Sequence, residues 1–143
     1  NVTGVGPTVA QWLIHEEDSN LDSISTFRRF SLDIDQERRK LVKLLGEYEA
    51  GSIIGYGASA TSTTLIYHFG ISSKLKFLVD DNPAKIGTYS PGYNFPVYSS
   101  ARILEPGVEV VLILAWRYAS EIMAKHPEFN GRFIVPLPSV EKF

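Results

Sequence analysis

The fold of this chain is decided by nine residues, Ser52-Ile53-Ile54-Gly55-Tyr56-Gly57-Ala58-Ser59-Ala60. They form the pattern of a short apolar strand that enters a glycine turn and then a helix. Glycine reaches backbone conformations closed to other residues, and the N-terminus of the next helix offers free N–H groups and the positive end of a dipole. This order of elements predicts a turn that cradles an anion such as a nucleotide phosphate.

The turn matches a dinucleotide-binding fingerprint. Gly55, Gly57 and Ala60 have the spacing G-x-G-x-x-G/A. The acidic residue of this fingerprint follows roughly 20 residues beyond the turn, and here it is Asp80 or Asp81. An alternative is that the glycines only make a tight strand-to-helix turn that holds no ligand, because a fold by itself does not establish binding.

Strand and helix patterns alternate along the rest of the chain. The run Glu109–Trp116 is almost continuously apolar, which is typical of a parallel strand buried on both faces. Alternation of this kind predicts one α/β domain, Rossmann-like and doubly wound, with a mainly parallel sheet and flanking helices. The predicted helices are a lead-in helix from Pro7 to Asp18, a longer one from Ser25 or Thr26 to Gly46 or Tyr48, and helices over 61–69 (stopped by Gly70) and 118–125; the predicted strands lie at 52–54, 76–79, 109–116 and finally 132–136.

The segment 82–97 is dense in proline and glycine and rich in tyrosine, which predicts an ordered loop. It follows the carboxyl end of a predicted strand, and open α/β sheets bind ligands at that edge. Ligand contact and the packing of a long surface connection explain this loop about equally well.

Composition excludes several classes of function. The chain has 143 residues, a formal net charge of -2 and no basic stripe, so nucleic acid is not expected as a partner. Cysteine is absent, which excludes disulfides and thiolate zinc sites. No apolar run approaches a membrane span and no signal-peptide pattern is visible, so we expect a cytoplasmic protein without a membrane partner. The glycosylation triplet Asn1-Val2-Thr3 is treated as a chance match.

The side chains that carry catalytic or metal chemistry form no recognisable constellation. His15, His68 and His126 are scattered without ligand spacing, and we expect His68 to pack or be exposed and His126 to end a helix. The chain also lacks a Gly-x-Ser-x-Gly elbow and the lysine of a phosphate-binding P-loop. We therefore assign no catalytic residue and no metal ligand.

Binding residues are predicted at the turn and on loops that follow strands. Hydroxyl and amide groups of 59–63 suit phosphate oxygens or simple helix capping. Lys85, Tyr89 and Arg117 suit a phosphorylated ligand, although solvated surface is the usual fate of a lone cation. The candidate ligand-binding residues are Gly55, Tyr56, Gly57, Ala58, Ser59, Asp80, Asn82, Lys85, Tyr89 and Trp116.

Four phrases of the sequence, at 55–60, 80–92, 114–116 and 131–138, resemble one protein family. From about Phe27 onward the chain is similar to the C-terminal domain of sugar C-methyltransferases. Those enzymes use S-adenosylmethionine to methylate a ring carbon of a nucleotide-linked keto-deoxysugar. The resemblance implies a lead-in segment over 1–24 and a Rossmann-like C-terminal domain over 25–143.

The resemblance also implies that this domain helps to hold the nucleotide sugar and docks onto the remaining methyltransferase domains. S-adenosylmethionine, zinc and the principal catalytic residues would belong to those domains, so this chain alone would hold no cofactor and catalyse nothing. The family usually has lysine, glycine and asparagine where this chain has Thr61, Ser62 and Thr63, and asparagine at Arg117. The alternatives are a stand-alone module that binds NAD(P) or a nucleotide sugar, and a structural interaction domain.

Overall fold

The computed structural model describes residues 6–143. The triplet Asn1-Val2-Thr3 and the first five positions of the predicted lead-in segment lie outside the described residues. The chain divides into two compact units, which comprise residues 1–36 and 37–143. The domain boundary expected after residue 24 stays a prediction.

The first unit is helical. Helix α1 spans Pro7–Asp18, as predicted, and has proline at its start, where a missing N–H costs nothing. Helix α2 spans Ile24–Leu45 and begins in this unit. The predicted caps Ser25 and Thr26 are wrong, because the Ser23 hydroxyl accepts the Ser25 amide at 3.3 Å and so begins the helix earlier.

The second unit is built on a six-stranded sheet with the order β3-β2-β1-β4-β5-β6. The first five strands are parallel, and β6 is antiparallel to β5. This confirms the predicted Rossmann-like fold. The strand order reverses between β1 and β4, which creates the switch point where such sheets bind ligands. The strands are β1 Ile53–Tyr56, β2 Leu75–Asp80, β3 Val97–Ser99, β4 Val110–Ile113, β5 Arg132–Val135 and β6 Glu141–Lys142.

Two short strands were not predicted. Val97–Ser99 pairs with the end of β2 at the sheet edge, so the segment 82–97 ends in a strand. Glu141–Lys142 follows β5, so the prediction that 132–136 is the final strand is wrong. β6 has no apolar pattern, and it is held by pairing with β5 and by reciprocal backbone hydrogen bonds between Phe133 and Phe143.

Helices cover the sheet. Helix α3 spans Ala60–Phe69 and stops before Gly70, as predicted, while α4 spans Ala119–Lys125. Short 3₁₀ turns lie at Ser72–Lys74, Ser100–Leu104 and Trp116–Tyr118. Strand β4 is buried along its whole length, as the apolar run over 109–116 predicts, but it is shorter than that run. Strand β1 is also buried throughout. Among residues 6–143, none of the helices combines the length and hydrophobicity of a transmembrane span.

The last turns of α2 belong to the second unit. Leu41 and Leu45 are fully buried there. The Val140 amide donates a 2.8 Å hydrogen bond to Oε2 of Glu37, which joins α2 to the segment before β6. Apolar burial and this polar contact together hold the helix in the unit.

Candidate functional site

An open cleft of about 450 Å³ lies at the carboxyl ends of β1, β2 and β4. This is the switch point of the sheet, and the volume falls within the range of roughly 300–1,000 Å³ that small-molecule sites have. Six of the ten predicted site residues line it: Tyr56, Gly57, Ser59, Asp80, Lys85 and Trp116. Thr61, Asp81, Leu114, Ala115, Arg117, Tyr118 and Ile122 complete the lining.

A second, more open depression of about 580 Å³ lies at the opposite edge, near the amino ends of β4 and β5. Three glutamates and one arginine lie in it, and α/β sheets bind ligands at the other edge. The smaller cleft is therefore the candidate site.

The other four predicted site residues do not line the cleft. Gly55 is buried, and a Cβ built on it would lie 2.6 Å from side-chain carbons of both Leu78 and Leu114. Asn82 caps a local turn by accepting the Ala84 amide at 3.0 Å, and Tyr89 is 68% exposed. Ala58 contributes its amide, as described below. The role of all ten as ligand-binding residues stays a prediction.

The fold itself explains the second glycine of the turn. Gly57 has a φ of +106°, and an added Cβ would lie 2.8 Å from Cβ of Ala115 at the end of β4. The Gly57 amide also donates to the Val79 carbonyl at 2.8 Å. Glycine is thus required here for conformation and for the close approach of two chain segments.

Asp80, not Asp81, contacts the glycine turn. The Ala58 amide and Nζ of Lys85 both donate to its Oδ2, at 2.8 and 3.0 Å, and the Asn82 amide donates to Oδ1 at 2.9 Å. Burial by itself raises the pKa of the Asp80 carboxyl, but these three donors outweigh it and hold the pKa below its ordinary value. Asp80 is therefore an ionised, internally paired carboxylate.

Asp81 belongs to a separate polar network beside the cleft. The Tyr56 hydroxyl donates to its Oδ2 at 2.9 Å, and Nζ of Lys125 lies 2.6 Å from the same oxygen. Nε2 of the buried His126 lies 3.1 Å from the Tyr56 hydroxyl. His126 does end α4, as predicted, whereas its contact across 70 residues had no sequence signal.

The pKa values in this network follow from burial and charge. Burial raises the pKa of Tyr56 well above its ordinary value; a hydrogen bond with Ser100 opposes this, and the Asp81 carboxylate adds to it. Burial also tends to raise the pKa of Asp81, but hydrogen bonds from Lys125, Ser100 and Tyr56 lower it overall. Tyr56 is therefore a neutral hydrogen-bond donor, and Asp81 is an anion.

Two features of the cleft can attract an anion. Ser59 caps α3, accepting the Ser62 amide at 3.2 Å, and the earlier amides of Ala60 and Thr61 have no acceptor within the helix. Arg117 lines the cleft, and no hydrogen bond or ion pair joins its side chain to another residue of the described part of the chain. Lys85, in contrast, already pairs with Asp80.

Within residues 6–143 there is no group of three or more histidines and carboxylates arranged to hold a metal ion. His68 is exposed on α3, in keeping with its predicted fate. The groups that the cleft offers to a ligand are amides, a guanidinium and aromatic rings.

Comparisons with known proteins agree with the resemblance seen in the sequence. A family model described as "C-methyltransferase C-terminal domain" matches residues 2–138. Over 140 residues the chain is 31% identical to C-methyltransferase NovU of Streptomyces niveus, a match that covers 94% of this chain and 33% of NovU. The chain thus spans about a third of the length of this relative.

Among solved structures, the chain is similar to the crystal structure of UDP-D-quinovosamine 4-dehydrogenase from Vibrio fischeri. The TM-score is 0.46 at 13% identity, with 64% of this chain and 80% of that chain covered.

Proposed function

Because this chain belongs to the family of C-methyltransferase C-terminal domains, we propose that it binds the nucleotide part of a nucleotide-linked sugar and docks onto the remaining methyltransferase domains. Those domains supply zinc, S-adenosylmethionine and the catalytic groups. The contribution of this domain is to hold the acceptor close to the methyl donor, which lowers the entropic part of the barrier. The chain by itself then turns over no substrate, and we place the enzyme in the cytoplasm.

The observation that carries the proposal is the position of Arg117 in the cleft. Arg117 is exposed, and its side chain has no hydrogen bond or ion pair within residues 6–143. Thr61, near the N-terminus of α3, lines the same cleft. A guanidinium can donate two parallel hydrogen bonds to two oxygens of one phosphate. The first amides of a helix also bind anions. These groups suit a nucleoside diphosphate linked to a sugar.

Two aromatic residues flank Arg117. Trp116 and Tyr118 belong to the same 3₁₀ turn and both line the cleft. Tyr118 is 63% exposed, while Trp116 is partly buried against the core. An exposed ring beside a guanidinium offers a flat surface for a base or for the apolar face of a sugar.

The alternatives have less support from the geometry. A stand-alone NAD(P) module needs an acid whose oxygens are open to the ribose, and both oxygens of Asp80 are engaged within the chain. A purely structural domain would explain Gly55 and Gly57, whose packing needs no ligand. In such a domain Arg117 would be solvated surface, so the effect of Arg117→Ala on ligand affinity distinguishes the two functions.

Docking is supported by an apolar stripe on α2 whose first residues are exposed. Phe27, Phe30 and Ile34 follow helical spacing along α2, on the same face as the buried Leu41 and Leu45. This stripe is therefore buried at the C-terminal end of α2 and exposed near its N-terminal end, where Phe27 is 56% and Phe30 is 63% exposed. We assign the bare part to the remaining methyltransferase domains, because this chain spans only a third of NovU.

Calorimetric titration of the 143-residue chain tests the binding proposal. The ligands are UDP, TDP, their sugar conjugates, NAD(H) and S-adenosylmethionine. We expect a sugar conjugate to bind and Arg117→Ala to weaken it about tenfold or more, since hydrogen bonds to charged groups contribute roughly 1.5–3 kcal/mol. Arg132→Ala is the matched control, because Arg132 is exposed at the opposite edge of the sheet.

Two results would count against the binding proposal. One is an equal loss of affinity in Arg117→Ala and Arg132→Ala, which would show only a general charge effect. The other is preferential binding of NAD(H), which would favour the stand-alone dinucleotide module.

Docking is tested with Phe30→Ser against Leu32→Ser, two similarly exposed residues on different faces of α2. Binding of the chain to the methyltransferase domains, supplied as a separate polypeptide, is measured by calorimetry. We expect only Phe30→Ser to weaken it. Equal effects of the two substitutions would refute the assigned surface.

A further inference from the structure

The glycine turn already holds an anion from within the chain. The Ala58 amide, directly after Gly57, donates to Oδ2 of Asp80 at 2.8 Å. In a dinucleotide-binding turn, the pyrophosphate approaches this stretch of backbone. Asp80 lies at the end of β2, and its side chain is only 12% exposed. It thus occupies an amide that a phosphate oxygen would otherwise use.

The other contacts of Asp80 hold it in this position. Nζ of Lys85 lies 3.0 Å from the same Oδ2, and the Asn82 amide donates to Oδ1 at 2.9 Å. Lys85, a predicted phosphate ligand, therefore neutralises a carboxylate of its own chain. Three donors fix the charged form, so moving Asp80 aside would leave a partly buried ammonium and two amides without their acceptor.

We propose that Asp80 is a specificity-determining residue that closes the glycine turn to phosphate. Its carboxylate accepts the hydrogen bond of the Ala58 amide, and its negative charge repels a second anion at that position. A phosphorylated ligand must then place its phosphates on the side of the cleft lined by Thr61 and Arg117. The inference rests on the proposed function and deepens it, because it states which part of the cleft the nucleotide cannot use and predicts that NAD(P) binds poorly.

The experiment compares inorganic pyrophosphate and NAD⁺ as probes of the turn. Each is titrated into the wild-type chain, Asp80→Asn and Asp80→Ala. Asn keeps the shape and removes the charge, whereas Ala also vacates the space. Asp81→Asn is the matched control, since Asp81 lines the same cleft but bonds to Tyr56 and Lys125 instead of the turn.

We expect the two Asp80 variants to bind pyrophosphate about tenfold more tightly than the wild type, and Asp81→Asn to change the affinity much less. The rise in thermal unfolding temperature with pyrophosphate is the second readout. A cooperative unfolding transition also shows that each variant is folded. If Asp80→Ala does not fold, Asp80→Asn alone tests the proposal.

Weaker binding of either probe to Asp80→Asn would overturn the proposal, because Asp80 would then contact the ligand directly. An equal gain in Asp81→Asn, or no gain in any folded variant, would overturn it as well. The proposed function fails separately, if the wild type binds no sugar nucleotide. The pyrophosphate comparison among variants keeps its meaning in that case.

Discussion

Replacing Gly57 with alanine tests whether the fold, and not a ligand, requires the glycine turn. The φ of Gly57 is +106°, and the new Cβ would lie 2.8 Å from Cβ and 3.1 Å from the amide nitrogen of Ala115. The backbone has little freedom to yield. The Ala115 amide donates to the Tyr56 carbonyl, and the Gly57 amide donates to Val79.

Two costs add in Gly57→Ala. A side chain at this φ strains the backbone by about 1–3 kcal/mol. Alanine also lowers the entropy of the unfolded chain, which offsets roughly 0.4–1 kcal/mol of this cost. Crowding in a packed region adds about 1–3 kcal/mol. We therefore expect the free energy of unfolding to fall by about 1–5 kcal/mol.

Two other glycines separate these costs. Gly51 has a φ of +89° and open space around it, so Gly51→Ala measures the backbone strain alone. Gly55 needs no positive φ, but its Cβ would meet Leu78 and Leu114 at 2.6 Å, so Gly55→Ala measures crowding alone. Crowding at Gly55 is against flexible side-chain ends, whereas at Gly57 it involves backbone.

Urea unfolding of the chain, followed by far-UV circular dichroism, gives the free energy of unfolding for each variant. We expect Gly57→Ala to be the least stable, below Gly51→Ala by at least about 1 kcal/mol. Equal losses in these two variants would refute the argument that Ala115 crowds position 57.

Three further predictions concern the cleft and its network. Folding lowers the pKa values of Asp80 and Asp81, so their contribution to stability is present above about pH 4 and is lost as pH falls through the pKa of the folded state. Urea unfolding between pH 2 and 7 should show this loss of stability, and the loss should be smaller in Asp80→Asn. Ala60→Pro removes the amide hydrogen at the first position of α3, where proline is tolerated. Calorimetry should then show that the affinity for the sugar nucleotide falls about tenfold while the stability of the chain is unchanged. Unchanged affinity would argue against a phosphate at this end of the helix. Tyr56→Phe removes a buried hydroxyl that donates to Asp81, and thermal unfolding should reveal a loss of about 1–3 kcal/mol, whereas the exposed control Tyr118→Phe should cost little.

Local signals were enough to predict most of the fold. Strands β1 and β4 are apolar runs, and α3 lies between a serine cap and Gly70, so each carries its own signature. The short strands β3 and β6 do not. They exist because β2 and β5 offer them backbone partners at the sheet edges, and β6 has no buried residue.

The sequence by itself determined the Rossmann-like order of elements, the family and the edge of the sheet where the cleft lies, because periodicity, turn chemistry and the alternation of strands and helices depend on residues that are close in sequence. Only the tertiary structure decided which of Asp80 and Asp81 meets the turn, that Lys85 is engaged while Arg117 is unpaired, and that Tyr56 contacts His126. These contacts join residues 22 and 70 positions apart. These contacts form only when the sheet brings the ends of different strands together. The strength of each charged pair then depends on the distance between the charges and on their burial.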